Sequence, residues 1–172
     1  YKNVLATGYD KERLAMISLG VDAKKFDNLP NSLTLKKAYG LTEKDVVFMF
    51  LAPLESHKGP EVFTKAAVEF LTMKTSEDVK FIIVTYDSPG QTPYKKRLSD
   101  LRNIITGQET NISIFEGIFD VAELMAICDA VVVPQTTVDG ATGHPVTLLE
   151  AMCAGKIVLA SDMFGITEII KD

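Results

Sequence analysis

Residues Ala130–Lys156 have the sequence AVVVPQTTVDGATGHPVTLLEAMCAGK, which predicts a strand, a loop and a helix in that order. The first four residues form an apolar run too short for a helix, and Pro134 ends the strand because proline cannot donate to a ladder. Pro145 is predicted as the first residue of the helix, where a missing N–H costs nothing. Gly155 is predicted as the C′ residue after the helix. A strand followed by a helix in this way is typical of a parallel α/β sheet.

The start of the predicted helix is a candidate anion site. The backbone N–H groups of Val146, Thr147 and Leu148 have no partner within the helix, and the helix dipole adds partial positive charge at this end. Thr147 and Glu150 lie three residues apart and share one face of a helix that is otherwise apolar. Glu150 therefore either faces solvent or belongs to a binding site, and the segment by itself leaves both alternatives open.

The same alternation of strand and helix recurs from Val46 onward. The predicted strands are Val46–Ala52, Val79–Val84, Ile112–Phe115, Ala130–Val133 and Ile157–Ala160. Helices are predicted to begin at or just after Pro60, Pro93, Asp120 and Pro145. This alternation predicts a parallel sheet covered by helices on both faces, with right-handed crossovers. Ligands of such sheets bind beyond the carboxyl ends of the strands, where the strand order reverses.

Composition narrows the classes of function. The chain has 172 residues, of which 47% are hydrophobic, and a net charge of −5 without a basic run. Nucleic acid and anionic membrane surfaces are therefore disfavoured as partners, and no apolar run approaches the roughly 20 residues of a membrane helix. Cys128 and Cys153 lack metal-ligand spacing and are predicted to be reduced core thiols, which favours a cytoplasmic protein. The absence of a G-x-G-x-x-G or P-loop pattern disfavours nicotinamide cofactors and ATP hydrolysis.

Three loops after the predicted strands carry candidate ligand-binding residues. Lys58 directly precedes a predicted helix, where it would meet a phosphate together with free N–H groups, although a solvated loop lysine is an equal alternative. Gly117 follows the third strand and would let the backbone approach a flat ring closely. His144, in the long loop after the fourth strand, either contacts the ligand or packs beside Pro145.

Three segments together carry a resemblance to a known family. The sequence contains LAPLESHKG at 51–59, IFEGIFDVAELMAICDAVVVPQ at 114–135 and GHPVTLLEAMCAGKIVLASDMFGITEII at 143–170. In this order they resemble the carboxyl-terminal domain of glycosyltransferase family 4, whose members are retaining enzymes of the GT-B fold. ISLGVDAKKF at 17–26 is similar to the linker before that domain.

The resemblance implies an α/β fold with a Rossmann-like, doubly wound parallel sheet, the carboxyl-terminal half of a GT-B fold. It assigns residues 1–16 to a linker or a remnant of the amino-terminal domain. It assigns residues 17–172 to a nucleotide-sugar-binding domain that is incomplete, because the family's domain continues with another strand and helices.

The resemblance also implies a role for each candidate residue. Lys58 matches the lysine that neutralises the donor diphosphate, and the N–H groups from Val146 onward match those that meet the same group. Glu150 matches the second glutamate of an E-x7-E motif, which accepts hydrogen bonds from the ribose hydroxyls, and Gly117 lies beside the base. The expected substrate-binding residues are Lys58, Gly117, Ile118, Thr142, Gly143, His144, Val146, Thr147, Leu148 and Glu150. Because Lys58 and the helix start would share one ligand, the Val46 strand is predicted at the centre of the sheet, beside the second and fourth strands.

The chain departs from the family's pattern at the donor site. Thr142 stands where the family has the first glutamate of the motif, which approaches the donor sugar. Pro53 stands where the family has an arginine, five positions before Lys58, so one cation for the diphosphate is missing. Pro145 replaces a common glycine. These departures concern the sugar and the diphosphate rather than the fold.

The implied function is that of a retaining glycosyltransferase in polysaccharide biosynthesis. It would move a hexose from a nucleoside diphosphate sugar to a hydroxyl of a glycan or lipid-linked glycan, with neither a metal nor a cofactor. Because the amino-terminal domain supplies acceptor contacts, residues 1–172 alone are expected to be inactive. Two alternatives stay open: a nucleotide-sugar 2-epimerase of the same fold, with Asp139 and His144 as candidate acid–base groups, and a nucleotide-binding domain that has lost catalysis.

Overall fold

The computed structural model describes residues 6–15, 17, 19–73, 78–88, 93–137 and 145–170. The strands of these ranges are β1 (Val46–Leu51), β2 (Val79–Thr85), β3 (Ile112–Glu116), β4 (Ala130–Val133) and β5 (Ile157–Ala160). They form one parallel sheet of five strands in the order β3-β2-β1-β4-β5. The prediction that the Val46 strand lies at the centre, beside the second and fourth strands, is confirmed.

Helices cover both faces of the sheet, as the alternation of strands and helices predicts. The helices are α1 (Ser32–Ala38), α2 (Pro60–Met73), α3 (Tyr94–Ile104), α4 (Val121–Ile127) and α5 (Val146–Cys153). Met49 of β1 packs in a core cluster with residues of α4 and α5. Its neighbour Phe50 packs in a second cluster with residues of α2 and α3. Successive side chains of a strand point to opposite faces, so a strand buried on both sides needs the continuous apolar run that β1 has.

The strand order reverses at β1. The chain leaves β1 through α2 to β2 and β3 on one side, and then returns through α4 to place β4 on the other side of β1. The loops after β1 and β4 therefore diverge from neighbouring strands, which leaves a crevice at the carboxyl ends of these two strands. This crevice is where the sequence places the candidate site.

The ends of the predicted helices are largely confirmed. Asp120 caps α4, since its Oδ1 accepts a hydrogen bond from the N–H of Ala122 at 2.8 Å. Gly155 follows α5 with a φ of 66°, as expected for a C′ residue. Pro145 is the N-cap of α5 rather than its first helical residue, so that prediction is wrong by one position. The ring holds its φ at −64°, but ψ is free to adopt the extended value of 121°.

The prediction of two core thiols is wrong for Cys153. Cys128 is buried after α4, and its burial raises the pKa of the thiol to about 12. Cys153 is exposed on α5. The side chains of Leu148 and Ala151 on this helix are buried in the core. Cys153 lies two residues after Ala151, so its side chain points about 200° around the helix axis from that of Ala151, away from the core.

The proposed boundary between residues 16 and 17 stays a prediction, because residues 1–5, 16 and 18 lie outside the described residues. None of the helices within the described ranges has both the length and the apolar character that crossing a bilayer demands.

Candidate functional site

A cavity of about 570 Å³ opens at the carboxyl ends of β1 and β4. Its walls come from the end of β1 and the loop after it, the residues after β2, the start of α4, and the end of β4 with the start of α5. The lining residues are Phe50, Leu51, Ala52, Pro53, Glu55, His57, Lys58, Tyr86, Ser88, Val121, Val132, Val133, Gln135, Pro145, Val146, Thr147 and Glu150. An apolar floor with a few polar groups, at this volume, is typical of a small-molecule site.

A tight turn brings Lys58 to this cavity. Ser56–Lys58 form a single 3-10 turn, in which the N–H of Lys58 donates to Glu55 O at 2.9 Å. Gly59 ends the turn with a φ of 76°, and α2 begins at the next residue. Lys58 is partly buried and forms no ion pair with any residue that the structure describes. Its ammonium group is therefore available to an anion in the cavity.

The start of α5 supplies backbone donors on the other side of the cavity. The N–H of Leu148 donates to Pro145 O at 3.1 Å, so the expectation of three free N–H groups is wrong for Leu148. The N–H groups of Val146 and Thr147 have no acceptor among the described residues. The Thr147 hydroxyl donates to Leu51 O at 3.2 Å, which fastens the start of α5 to the end of β1. Two backbone donors, rather than three, can meet an anion here.

Glu150 lines the same cavity as Lys58 and the start of α5. Its side chain is partly buried, and this burial raises the pKa of the carboxyl above its ordinary value, while the charge of Lys25 partly opposes the shift. An ionised carboxylate accepts hydrogen bonds and cannot donate them, so hydroxyl groups are suitable partners. Glu150 thus lines the cavity, and its role in binding a ligand stays a prediction.

A second cavity, of about 430 Å³, adjoins the first. The two share lining residues in the loops after β1 and β2, among them His57 and Tyr86. His57 Nε2 lies 3.2 Å from Glu55 Oε2, and it forms no hydrogen bond with any residue that the structure describes. His57 is therefore held beside a carboxylate at the junction of the cavities.

The outer wall of the second cavity is fixed by contacts to Glu116. The Tyr94 hydroxyl donates to Glu116 Oε2 at 3.2 Å, and Arg102 donates to Glu116 Oε1 at 2.7 Å. Burial of the ring, together with the charge of Glu116, raises the pKa of Tyr94 to about 12. This tyrosine is consequently a neutral hydrogen-bond donor throughout the physiological range.

The structure brings four of the expected site residues together. Lys58, Val146, Thr147 and Glu150 line the larger cavity. Three other expected residues do not line it. The side chain of Leu148 is in the core. Gly117 and Ile118 lie in the loop after β3, and Ile118 is 98% exposed. Thr142, Gly143 and His144 lie outside the described residues.

Several lining residues were not predicted as ligand contacts. They are Tyr86 and Ser88 after β2, Val121 at the start of α4, and Gln135 after β4. Their positions directly after strands or at a helix start are the signal that could have found them. Three of the four can form hydrogen bonds, but none has a charge or a motif spacing that would single it out in the sequence. Within the described ranges, no group of three His, Cys, Asp or Glu side chains is arranged to hold a metal ion.

Comparison with known proteins assigns the family. The model of the family described as Glycosyl transferases group 1 matches residues 31–172. A comparison with curated proteins gives no significant match. The crystal structure of Anabaena Alr3699/HepE in complex with UDP and glucose is similar with a TM-score of 0.81 and 23% identity, over 99% of this chain and 44% of that chain.

Two further solved structures share the fold. A glycosyltransferase from Rickettsia africae has a TM-score of 0.76 and 20% identity, over 96% of this chain and 42% of that chain. The C-terminal domain of the glycosyl transferase group 1 family protein LpcC from Francisella tularensis has a TM-score of 0.69 and 22% identity, over 89% of this chain and 76% of that chain. The fold is thus the carboxyl-terminal, Rossmann-like half of a GT-B structure, and the chain spans less than half the length of the first two neighbours. Because the family model matches most of its length, the chain belongs to the glycosyl transferases group 1 family.

Proposed function

We propose that this chain is the donor-binding domain of a retaining glycosyltransferase that uses a nucleoside diphosphate hexose. The observation that supports the proposal best is the cavity of about 570 Å³, which is large enough for a small-molecule ligand. Lys58, the start of α5 and Glu150 all line it. These groups suit two polar parts of a nucleoside diphosphate: a cation and backbone donors suit the phosphates, and an acceptor suits the ribose hydroxyls.

The diphosphate lies between Lys58 and the first turn of α5. Its oxygens accept hydrogen bonds from the Lys58 ammonium and from the N–H groups of Val146 and Thr147, all of which can stabilise negative charge. In glycosyl transfer this diphosphate is the leaving group, so its charge grows in the transition state. Donors that are already oriented stabilise that charge without reorganisation.

The ribose lies at Glu150, and the base lies toward the residues after β2 and the start of α4. The carboxylate of Glu150 accepts from the two ribose hydroxyls, an interaction that also favours its charged form. Uracil is the proposed base, since the Anabaena Alr3699/HepE structure is a complex with UDP and glucose. The same neighbour supports a hexose as the transferred sugar.

The complete reaction belongs to the whole protein. The chain spans 44% of the Anabaena neighbour's length, and a two-domain cleft aligns both substrates only when both walls are present. The acceptor is a hydroxyl of a glycan or lipid-linked glycan. We expect residues 1–172 alone to bind the donor nucleotide without transferring its sugar.

Isothermal titration calorimetry with UDP, GDP and ADP tests the donor site. Lys58→Ala is compared with Lys65→Ala, which removes an exposed lysine of α2 seven residues away. We expect UDP to bind most tightly, and Lys58→Ala to weaken it by about tenfold or more, as for loss of a charged hydrogen bond. Failure of all three nucleotides to bind, or equal affinities of the two variants, would overturn the proposal. In a protein that carries both GT-B domains, tight UDP binding without turnover of UDP-hexose would identify a nucleotide-binding domain that has lost catalysis.

A further inference from the structure

The segment Pro134–Thr136 contacts the turn that carries Lys58. The Thr136 hydroxyl donates to Ser56 O at 3.1 Å, and the Thr136 N–H donates to His57 O at 3.0 Å. These two carbonyls immediately precede Lys58. One threonine therefore holds two consecutive peptide groups of the turn, from a position 80 residues away in the sequence.

The same segment also contacts the residue after Lys58. A Cβ at Gly59 would overlap Pro134 O and would lie 2.9 Å from Pro134 C. The two backbones are thus in direct contact at this point. Lys58 is held between two contacts, with Thr136 on its amino-terminal side and Pro134 on its carboxyl-terminal side.

The segment is connected to the other half of the donor cavity as well. It follows β4, and the same β4–α5 connection leads to the start of α5. The Thr147 hydroxyl bonds Leu51 O at 3.2 Å, so the start of α5 is also tied to the strand that leads into the Lys58 turn. The lysine and the backbone donors are therefore fixed relative to each other, although they come from different βα units.

We propose that Thr136 is a positioning residue that holds Lys58 at the correct place for the donor diphosphate. This inference rests on the proposed function, since it requires that Lys58 binds that group. Thr136 lines neither cavity, and it acts through the backbone of the Lys58 turn. Charge-assisted hydrogen bonds to phosphate require donor–acceptor distances of about 2.7–2.9 Å, so a small displacement of the turn removes them.

Thr136→Val tests the inference, because it replaces the hydroxyl by a methyl group and keeps the backbone N–H. We expect UDP affinity to fall by about 3–10-fold, the equivalent of one hydrogen bond. Affinity for uridine, which lacks the diphosphate, should stay within about twofold. Hydrogen exchange of the Lys58 and Gly59 amides, measured without nucleotide, should become faster. Thr136→Ser keeps a hydroxyl and should restore both properties.

Thr106→Val is the matched control, since the exposed Thr106 hydroxyl donates to Arg102 O at 3.3 Å, far along the chain from the turn. It should change neither nucleotide affinity nor amide exchange at the turn. If Thr136→Val binds UDP as wild type does while Lys58→Ala does not, the positioning role is wrong and the donor site stands. If wild type itself does not bind UDP, the donor site is wrong and the positioning role falls with it. Equal losses for UDP and uridine would indicate general damage and would also overturn the inference.

Discussion

Gly59→Ala is expected to destabilise the domain more than a simple glycine substitution. Gly59 combines two constraints, a left-handed φ of 76° and a backbone contact with Pro134. Gly40 has nearly the same conformation, with a φ of 71°, but a Cβ there would meet nothing within 4 Å. The difference between Gly59→Ala and Gly40→Ala therefore measures the backbone contact alone.

The two constraints give separate magnitudes. An L-residue in the left-handed region costs about 1–2 kcal/mol, which applies to both variants. At Gly59 the new Cβ would also overlap Pro134 O, so one backbone must shift, and shifts forced by overpacking cost about 1–3 kcal/mol. Gly59→Ala should thus lower the free energy of unfolding by about 2–5 kcal/mol. For a domain of this size, each kcal/mol lowers Tm by about 2–4 °C, so Gly59→Ala should lower Tm by about 4–20 °C.

Denaturant unfolding of wild type and the two variants checks this reasoning. The midpoint should fall more for Gly59→Ala than for Gly40→Ala, with unchanged slopes if the denatured states are similar. Equal destabilisation of the two variants would refute the argument, since the Pro134 contact would then contribute nothing. UDP affinity of the folded Gly59→Ala protein should also fall, because the substitution displaces the residue that follows Lys58.

Three further predictions concern titratable groups. Burial raises the pKa of Glu150 in the folded state, so ionisation of this carboxyl opposes folding. The protein is therefore more stable at low pH, where Glu150 is protonated. This stability is lost as pH rises from the ordinary pKa of 4.5 through the raised pKa of the folded state. Glu150→Gln should therefore flatten the decline of Tm with pH above 4.5, and it should weaken UDP binding by about 1–3 kcal/mol. The tyrosine absorbance that wild type shows and Tyr94→Phe lacks should change with a midpoint near pH 12, the pKa of Tyr94. Glu116→Gln should lower the pKa of Tyr94, because it removes a nearby negative charge. Cys153 should react with a thiol reagent in the folded state while Cys128 does not, and two thiols that react equally fast would contradict the burial of Cys128.

The sequence predicts the parts of the fold that depend on periodicity and on local chemistry. The continuous apolar run of β1 indicates burial on both faces, and the cap at Asp120 is visible as an acidic residue before a helix. The location of Glu150 near Lys58 was implied only by the resemblance to glycosyltransferase family 4. The loops after β1 and β4 were predicted to meet at one edge, because parallel sheets bring the carboxyl ends of their strands together. These features follow from the order of residues without knowledge of distant contacts.

The features that were missed depend on contacts between distant segments. Thr136 and Ser56 lie 80 positions apart, and an exposed threonine gives no sign that its hydroxyl reaches a carbonyl of another loop. Tyr86 and Val121 line the cavity through the placement of β2 and α4. Their positions after a strand and at a helix start indicate this edge of the sheet, but their side chains do not show that they reach this cavity. The pairing of the Leu148 N–H, by contrast, is local: Pro145 is the N-cap of α5, so its carbonyl accepts the first hydrogen bond of the helix.

The charge of the donor cavity explains why the position of Lys58 should matter as much as its presence. Among the described lining residues, Lys58 is the one side chain with a permanent positive charge, while Glu55 and Glu150 are acidic. Pro53 lines the cavity but contributes no charge. Among the described lining residues, a diphosphate there depends on one ammonium group and two backbone donors, so no second lining cation compensates for a displaced turn.

This reasoning predicts that Pro53→Arg should raise UDP affinity and make Thr136→Val less costly. A second cation near the diphosphate would neutralise part of the negative charge that Lys58 otherwise neutralises alone. Displacement of Lys58 would then remove a smaller part of the binding free energy. Groups that share one partner typically couple by about 0.5–3 kcal/mol, which a double-mutant cycle on UDP affinity can resolve. Thr136→Val should thus cause a smaller fold-loss in the Pro53→Arg protein than in wild type. An equal fold-loss in both backgrounds would show that Thr136 does not act through the diphosphate. It would also refute the argument that the position of Lys58 matters because it is the one cationic side chain among the described lining residues.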